Sequence, residues 1–350
     1  MDEHYDPVRA AEPLRHALDL ALEWTHADPS PEPKVLVAVL TREKADILWE
    51  TGDLNGARDT LLESLAIFGE VLAQDPKNGD WDHERLVIEE RLGLVSGSPD
   101  FFNLGDRAAA SDWLHKLVND GEQRVTADPN DVRARFDLSE SLAELAAVYR
   151  DTEPQRAQKL YQRSLDLSNS ALKSSPQDAD ILNWQSLERV RFAGVLERLG
   201  QRNQAIEELR TAVAVAKDLV ARDATNISAR QLLGVGLRTR ASHLLQTGDA
   251  SGAEHDLQQS QETLANLYRE NPNNLMFLRD LADCYRGMGD LAARRSDWEG
   301  AKLQYQKSLQ LWDHWTTIGK STVYDQQQRQ LADTRVRNVT KHLRISAALR

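Results

Sequence analysis

Small and apolar residues recur along this chain at helical spacing. They form a short sequence motif, called the figure below, which is itself repeated. Near the C-terminus, Ala301 is followed four residues later by Tyr305 and three residues later again by Ser308. The figure occurs in seven copies, which begin at Ala10, Ala57, Ala110, Ala157, Ala205, Ala253 and Ala301. Successive copies lie 47, 53, 47, 48, 48 and 48 residues apart. A fixed period of this size predicts a stacked array of similar units.

Each unit contains two helical patterns separated by a short turn. Proline lacks an amide donor and stops the second pattern of most units, at Pro29, Pro76, Pro129, Pro176 and Pro272, with Ala224 in the remaining unit. Two residues later an Asn or Asp can cap the next helix, at Asn78, Asp131, Asp178, Asn226 and Asn274, whereas the first unit has Pro31. No stretch alternates apolar and polar residues between hairpin turns, so no sheet is predicted.

These patterns predict an all-α, right-handed α-solenoid of about six antiparallel helix pairs with repeats of about 48 residues. One solenoid domain is expected over residues 1–350. Its parts are a half-repeat at 1–29, repeats at 30–76, 77–129, 130–176, 177–224, 225–272 and 273–320, and a capping helix at 321–350. The half-repeat has no first helix, which indicates either fraying or, in the preferred interpretation, a start inside a longer protein.

The small residue that opens each figure has a predicted packing role. Two helices joined by a tight turn approach closely where they cross, and a close crossing requires a small side chain. The predicted helix-crossing positions are Ala57, Ala110, Ala157, Ala205, Ala253 and Ala301.

Several large apolar residues are expected in the interior. Four tryptophans on apolar helical stripes are predicted to lie in the core, namely Trp24, Trp49, Trp184 and Trp312. Phe101 and Phe102 occur in an inserted segment at 97–105 and are expected to fold back over the helix pair beneath them. The last apolar face of an array needs a cover, which Leu331, Val336, Val339 and Leu343 are expected to supply.

The net charge of −12 is unevenly distributed. Residues 1–175 contain 19 Lys or Arg against 34 Asp or Glu, whereas residues 176–350 contain 24 against 21. An acidic half argues against nucleic-acid binding by the whole chain, because phosphate backbones require a basic footprint. No apolar run approaches the roughly 18 residues that crossing a bilayer requires.

The motifs of catalysis and metal binding are missing from the sequence. The segment 319–322 resembles the end of a phosphate loop, but His314 stands where that loop needs a glycine. No two histidines lie four residues apart, so the helical zinc motif is absent. The single cysteine, Cys284, lies on an apolar stripe with Leu281 and is expected to be buried. We therefore predict a protein that is not an enzyme, with no catalytic residue, metal or cofactor.

Arginines recur on the predicted first helices of the units. Near one register lie Arg42, Arg189, Arg238 and Arg286, and a second register contains Arg230 and Arg279. Arginine binds carboxylate or phosphate with two parallel hydrogen bonds. The hypothesis is that the C-terminal half of a groove binds an acidic or phosphorylated peptide through these six residues. The alternative is intramolecular pairing with Glu188, Asp283 or Asp290.

The repeated figure, with its Gly-Asp turn and late proline, resembles the tetratricopeptide repeat (TPR), whose usual length is about 34 residues. The longer period adds about four helical turns per repeat. The phrases at 103–106, 297–301 and 307–312 are similar to repeats C-terminal to bacterial serine/threonine protein kinase domains. Kinase catalytic motifs are absent from this chain, so the resemblance implies a regulatory or docking segment.

We therefore predict a non-catalytic protein–protein interaction scaffold, a docking module of a bacterial serine/threonine kinase or related signalling protein. It would bind a protein or peptide in its groove, without nucleic acid and without membrane insertion. The alternatives are a stand-alone TPR adaptor, third a helical-repeat enzyme and fourth nucleic-acid binding through the basic C-terminal half. The expected location is the cytoplasm, or the soluble region of a membrane-anchored kinase.

Overall fold

The computed structural model describes residues 7–318 and 323–348, and the regular structure of this part is entirely α-helical. The helices are α1 (Pro7–Ala27), α2 (Pro31–Glu50), α3 (Leu54–Leu72), α4 (Gly79–Gly97), α5 (Arg107–Ala127), α6 (Val132–Tyr149), α7 (Pro154–Ser174), α8 (Ala179–Arg198), α9 (Arg202–Arg222), α10 (Ile227–Thr247), α11 (Ala250–Glu270), α12 (Leu275–Arg294), α13 (Trp298–Ile318) and α14 (Val323–Ala348). The predicted all-α solenoid is thus confirmed for the described residues. The phosphate-loop-like segment 319–322 lies outside them.

The chain divides into two compact units, the first at Met1–Ala171 and the second at Leu172–Arg350. Within each unit, a helix packs chiefly against the next helix along the chain, and successive first helices also touch. The even-numbered helices from α2 to α12 are the first helices of the pairs, and the odd-numbered helices from α3 to α13 are the second helices. The single domain over 1–350 stays a prediction.

The first helices begin at the predicted capping residues. The side chains of Asn78, Asp131, Asp178, Asn226 and Asn274 each accept a hydrogen bond from a backbone N–H of the following turn. Helix α2 differs, because Ser30 makes no such bond and Pro31 occupies the first turn. Proline suits that position because its missing N–H would have no helical partner there. The change of capping residue in the first repeat therefore leaves the helix start intact.

Five of the six turns within the helix pairs contain one left-handed residue, and the turn between α6 and α7 contains none. Gly52, Gly105, Gly200 and Gly248 have φ between 76° and 92°, a region that glycine enters without a Cβ clash. The following aspartate often caps the second helix, as Asp249 does by accepting from the Gly252 N–H at 2.8 Å. Ser296 takes the same place before α13 with φ 61°.

The predicted crossing alanines all lie in the interior, and each is fully buried. A second contact of the same figure shows how closely the helices approach. The hydroxyl of Ser260 donates to the Gly234 carbonyl at 2.7 Å, and Ser64 bonds the Ala38 carbonyl in the same way. A Cβ on Gly234 would lie 2.6 Å from Leu264. The second small residue of the figure thus allows a hydrogen bond between helices, while the crossing role of the alanines stays a prediction.

The inserted segment folds back as expected. Phe102 is buried, and its carbonyl accepts a hydrogen bond from the Trp49 indole N–H at 2.7 Å. The Phe101 ring lies 5.5 Å from the Trp49 ring. The insertion therefore covers α2 with aromatic side chains.

Helix α14 covers the last pair, but with a different set of residues from the predicted one. Val339 is buried and packs with Val336 and Leu343 against Ala301 and Tyr305. Leu331, by contrast, is 48% exposed, so its predicted role was wrong. In α10, Leu237, Ala241 and Leu245 are buried. The equivalent positions two repeat periods later, in α14, are Asp333, Arg337 and Lys341. These three positions of α14 are therefore polar where those of α10 are apolar.

Candidate protein-interaction surface

The six predicted peptide-binding arginines lie on first helices, as expected, and carboxylates of the same chain surround them. Arg42 lies within 3.4 Å of carboxylate oxygens of Glu43, Asp46 and Glu84. Arg189 contacts Glu208 at 2.5 Å. Each of these carboxylates already occupies the guanidinium that a ligand would need.

Arg230 has the most complete pairing. Its two terminal nitrogens donate to the two oxygens of Glu270 at 2.6 and 2.7 Å. The hydrogen bonds to Glu270 raise the pKa of the Arg230 guanidinium. This geometry is the bidentate arrangement that the hypothesis reserved for a peptide carboxylate.

The remaining arginines surround Asp283 in the second unit. Arg238 donates to Asp283 at 3.3 Å and lies 3.8 Å from Asp280, while Arg286 donates to Asp283 at 3.2 Å. Burial alone would raise the pKa of Asp283, but Arg286, Arg238 and Arg279 together lower it. The alternative of intramolecular pairing with Asp283 therefore describes this part of the structure.

The first unit has mainly carboxylates on its first helices, in contrast to the arginines of the second unit. Its first helices carry a set that we name the acidic first-helix surface: Asp46, Glu84, Glu90, Asp137 and Glu140. Burial raises the pKa of Glu140 well above its ordinary value, and the nearby charges of Glu90 and Asp137 raise it further. Burial also raises the pKa of Asp137, although Arg133 contacts that carboxylate at 2.7 Å.

The repeat register makes the two units directly comparable. Glu90 and Arg238 are each the twelfth residue after the cap of their helix, and Glu140 and Asp283 are each the ninth after theirs. In the second unit this pair of positions holds the Arg238–Asp283 ion pair. In the first unit the same pair of positions holds two carboxylates, and Arg91 lies 3.6 Å from Glu90 and also interacts electrostatically with Glu140. The first unit thus has a carboxylate where the second unit has a cation.

Potential metal ligands and the single cysteine are the remaining chemical features of the described residues. In residues 7–318 and 323–348, no group of three or more His, Cys, Asp or Glu is placed to hold a metal ion. Cys284 is fully buried, and burial raises the pKa of its thiol to about 11. A thiol with that pKa is a poor nucleophile at neutral pH. None of the described helices combines the length and apolarity that a membrane span requires.

The acidic first-helix surface was missed at the sequence level, although a signal for it exists. Counting from the capping residues places Glu90 and Glu140 at the positions of Arg238 and Asp283. The pairing of those positions between successive first helices becomes visible only in the folded chain. The partners Glu208 and Glu270 were missed for the same reason, since they lie on second helices.

Comparison with solved structures finds other helical-repeat proteins. BtubC from P. vanneervenii has 17% identity over 69% of this chain and 92% of its own, with a TM-score of 0.44. A thermophilic TPR protein from Thermus thermophilus has 18% identity over 71% and 98%, with a TM-score of 0.39. A human IFIT1 dimer with PPP-AAAA has 16% identity over 95% and 70%, with a TM-score of 0.43. No protein-family model and no curated protein matches the chain.

Proposed function

We propose that this protein is a non-catalytic protein-interaction scaffold whose acidic first-helix surface binds a basic segment of a partner protein. The observation that carries this proposal is the like-charged pair Glu90 and Glu140, at positions where the second unit pairs Arg238 with Asp283. Two carboxylates kept close at partly buried positions oppose folding. A lysine or arginine of a partner would supply further counter-charge.

The local geometry favours an extended or helical basic segment over a single cation. Glu84 contacts Arg42 only at 3.4 Å, and Asp46 faces Arg91 at 3.1 Å, so cations and carboxylates already alternate along α2 and α4. The excess of carboxylate begins at Glu90 and continues onto α6. Charge complementarity of this kind accelerates association and selects partners by sign.

The link to signalling is a finer proposal. The phrases at 103–106 and 297–301 support a docking role beside a bacterial serine/threonine kinase domain. A stand-alone TPR-like adaptor is the alternative, and the full-length reading frame distinguishes the two. Nucleic-acid binding through the C-terminal half has less support, because the arginines of that half contact carboxylates of the same chain.

An acidic or phosphorylated peptide remains a second candidate ligand, for the arginines of the second unit. The side chain of Arg286 is 34% exposed, so a ligand could reach it before displacing Asp283. Replacing both Arg238 and Arg286 by alanine tests this candidate. Undiminished binding of a phosphopeptide by the double variant would exclude it.

The main proposal is tested with a labelled lysine-rich peptide at physiological ionic strength, titrated with the full chain. Glu90→Arg pairs with Glu140 and is expected to weaken binding by about tenfold or more. The matched control is Glu63→Arg, which makes the same charge change at an exposed position of α3. Equal weakening by both variants would mean that only net charge attracts the peptide, and the proposal would fail.

A further inference from the structure

Within the acidic first-helix surface, the carboxylate of Asp137 is poorly hydrogen-bonded. Its side chain is only 16% exposed. Neither of its oxygens is open to solvent or has a well-directed hydrogen bond within the described chain. Burial raises the pKa of this carboxyl group although the charges of Arg133, His83 and Arg124 act against it. The negative charge of Asp137 is therefore incompletely compensated.

Two arginines and a histidine surround Asp137, and Arg133 is the nearest of the three. Its Nε lies 2.7 Å from the carboxylate, while Arg124 lies at 3.7 Å and His83 at 3.9 Å. The side chain of Arg133 is 62% exposed, against 29% for Arg124 and 37% for His83. A partner can reach Asp137 only by taking the place of a group that now contacts it, and Arg133 is the most accessible of these groups.

The position of Arg133 on α6 makes it a weak counter-ion. It is the second residue of the helix, where the positive end of the helix dipole disfavours a cation. Arg133 also precedes Asp137 by four residues, which is the less favourable order for an ion pair along a helix. Exposed pairs of this kind contribute little to stability. Exchange of Arg133 for another cation is therefore inexpensive.

A guanidinium from outside the chain can use Asp137 better than Arg133 does. A terminal nitrogen of Arg133 donates to Nε2 of His83 at 3.2 Å, so its donors are divided between two acceptors. A free guanidinium can donate two parallel hydrogen bonds to one carboxylate, whereas a lysine ammonium is a point charge. The pair of Arg230 and Glu270 has this parallel arrangement in the second unit.

From these contacts we infer that Asp137 binds an arginine of the basic partner through two hydrogen bonds, and that Arg133 occupies this position in the free chain. The incoming guanidinium displaces Arg133 into solvent, and the neighbouring charge of Glu140 attracts it further. The inference rests on the function proposed above and names the residue type that the acidic first-helix surface selects.

The choice of arginine is tested with two labelled peptides of equal length and charge, one rich in arginine and the other rich in lysine. Each is titrated with the full chain at physiological ionic strength, and fluorescence anisotropy is measured. The arginine-rich peptide is expected to bind about threefold or more tightly. Equal affinities of the two peptides would overturn the inference.

The displacement of Arg133 is tested by removing it. Arg133→Ala is expected to strengthen binding of the arginine-rich peptide about threefold, because the competing cation is gone. The matched control is Arg135→Ala, which makes the same charge change two residues away. Arg135 donates to the Ser170 hydroxyl at 3.1 Å and to the Asn130 carbonyl at 3.5 Å. Equal strengthening by both variants would mean that only net charge changed, and the inference would fail.

A third variant tests Asp137 itself. Asp137→Asn keeps the size of the side chain and is expected to weaken binding of the arginine-rich peptide and to abolish the preference over lysine. Asp166→Asn is the control, because it removes the same charge at an exposed position of α7. Adding Arg133→Ala to Asp137→Asn is expected to give no further strengthening. Strengthening that persists in this double variant would contradict the inference.

The experiments separate this inference from the proposed function. If neither peptide binds the wild-type chain, the proposed function fails. If both peptides bind and Glu90→Arg weakens them, while Arg133→Ala and Arg135→Ala act alike, the proposed function stands and the role of Asp137 and Arg133 is excluded.

Discussion

One first helix in each unit has a carboxylate at the same register position, yet the pKa values of these two carboxyl groups are shifted in opposite directions. Glu140 in α6 and Asp283 in α12 are each the ninth residue after the helix cap. Burial and the charges of Glu90 and Asp137 raise the pKa of Glu140. Burial acts on Asp283 in the same direction, but Arg286, Arg238 and Arg279 lower its pKa overall.

The difference shows that the repeat fixes positions but not their electrostatics. The second unit compensates the charge of Asp283 with its own arginines. The first unit leaves an excess of carboxylate on a half-buried surface, which costs folding free energy. We attribute that cost to binding, because a partner's cation would remove it.

The largest expected effect comes from removing the charge of Asp283. Asp283→Asn removes the carboxylate charge that Arg238 and Arg286 share and is expected to destabilise the chain by roughly 1.5–3 kcal/mol. A lowered pKa gives stability that is present above the ordinary value and is lost as the pH falls through the folded value. The loss measured by urea unfolding should therefore be full at neutral pH and shrink on acidification. A loss that is independent of pH would break the comparison.

The opposite sign is expected for Glu140. Glu140→Gln removes one of two crowded carboxylates and should stabilise the chain by about 1 kcal/mol at neutral pH. A raised pKa penalises the folded state above the folded value, and the penalty is relieved as the pH falls through that value. The gain should therefore disappear in acid. Hydrogen exchange of residues 132–149 would localise the effect, and faster exchange there at neutral pH would contradict it.

A smaller effect tests whether the two pairs of positions are equivalent. Glu90→Arg is expected to stabilise the first unit by about 0.5–1 kcal/mol, because it recreates the Arg238–Asp283 pair with Glu140. In a double-mutant cycle the gain should vanish when Glu140 is already Gln. An unchanged gain would show that Glu90 acts through some other neighbour.

The smallest expected effect is that of salt. Added salt screens partly exposed like charges, so it should stabilise the wild-type chain by about a few tenths of a kcal/mol. The same salt step should change the stability of Glu140→Gln less. Equal responses of the two proteins in urea unfolding would indicate that repulsion between Glu90 and Glu140 does not affect stability.

The fold could be predicted because its determinants are local. Asn226 caps a turn three residues away, and Gly248 is left-handed for reasons set by its own backbone. The burial of Ala253 depends only on the two helices of its own pair. Each signal recurs in most of the repeats, and the repetition makes one weak pattern reliable.

The ion-pair partners of the arginines could not be predicted, because each pairing depends on the distance between two different helices. Arg230 binds Glu270, forty residues away on the far end of a second helix. Nothing in the sequence near Arg230 distinguishes this carboxylate from others of the same repeat. Trp24 illustrates the same limit, because its apolar stripe predicts burial in the core and that prediction was wrong, since the residue is 43% exposed.

Titration of Glu140 and Asp283 tests the central comparison most directly. Carboxyl carbon chemical shifts of the full chain, labelled at Glu and Asp, are followed by NMR as the pH is lowered. Glu140 is expected to titrate above the ordinary glutamate pKa and Asp283 below the ordinary aspartate pKa. Ordinary values for both, or the reverse order, would contradict the claim that the first unit carries an excess of carboxylate where the second unit is compensated by its own arginines.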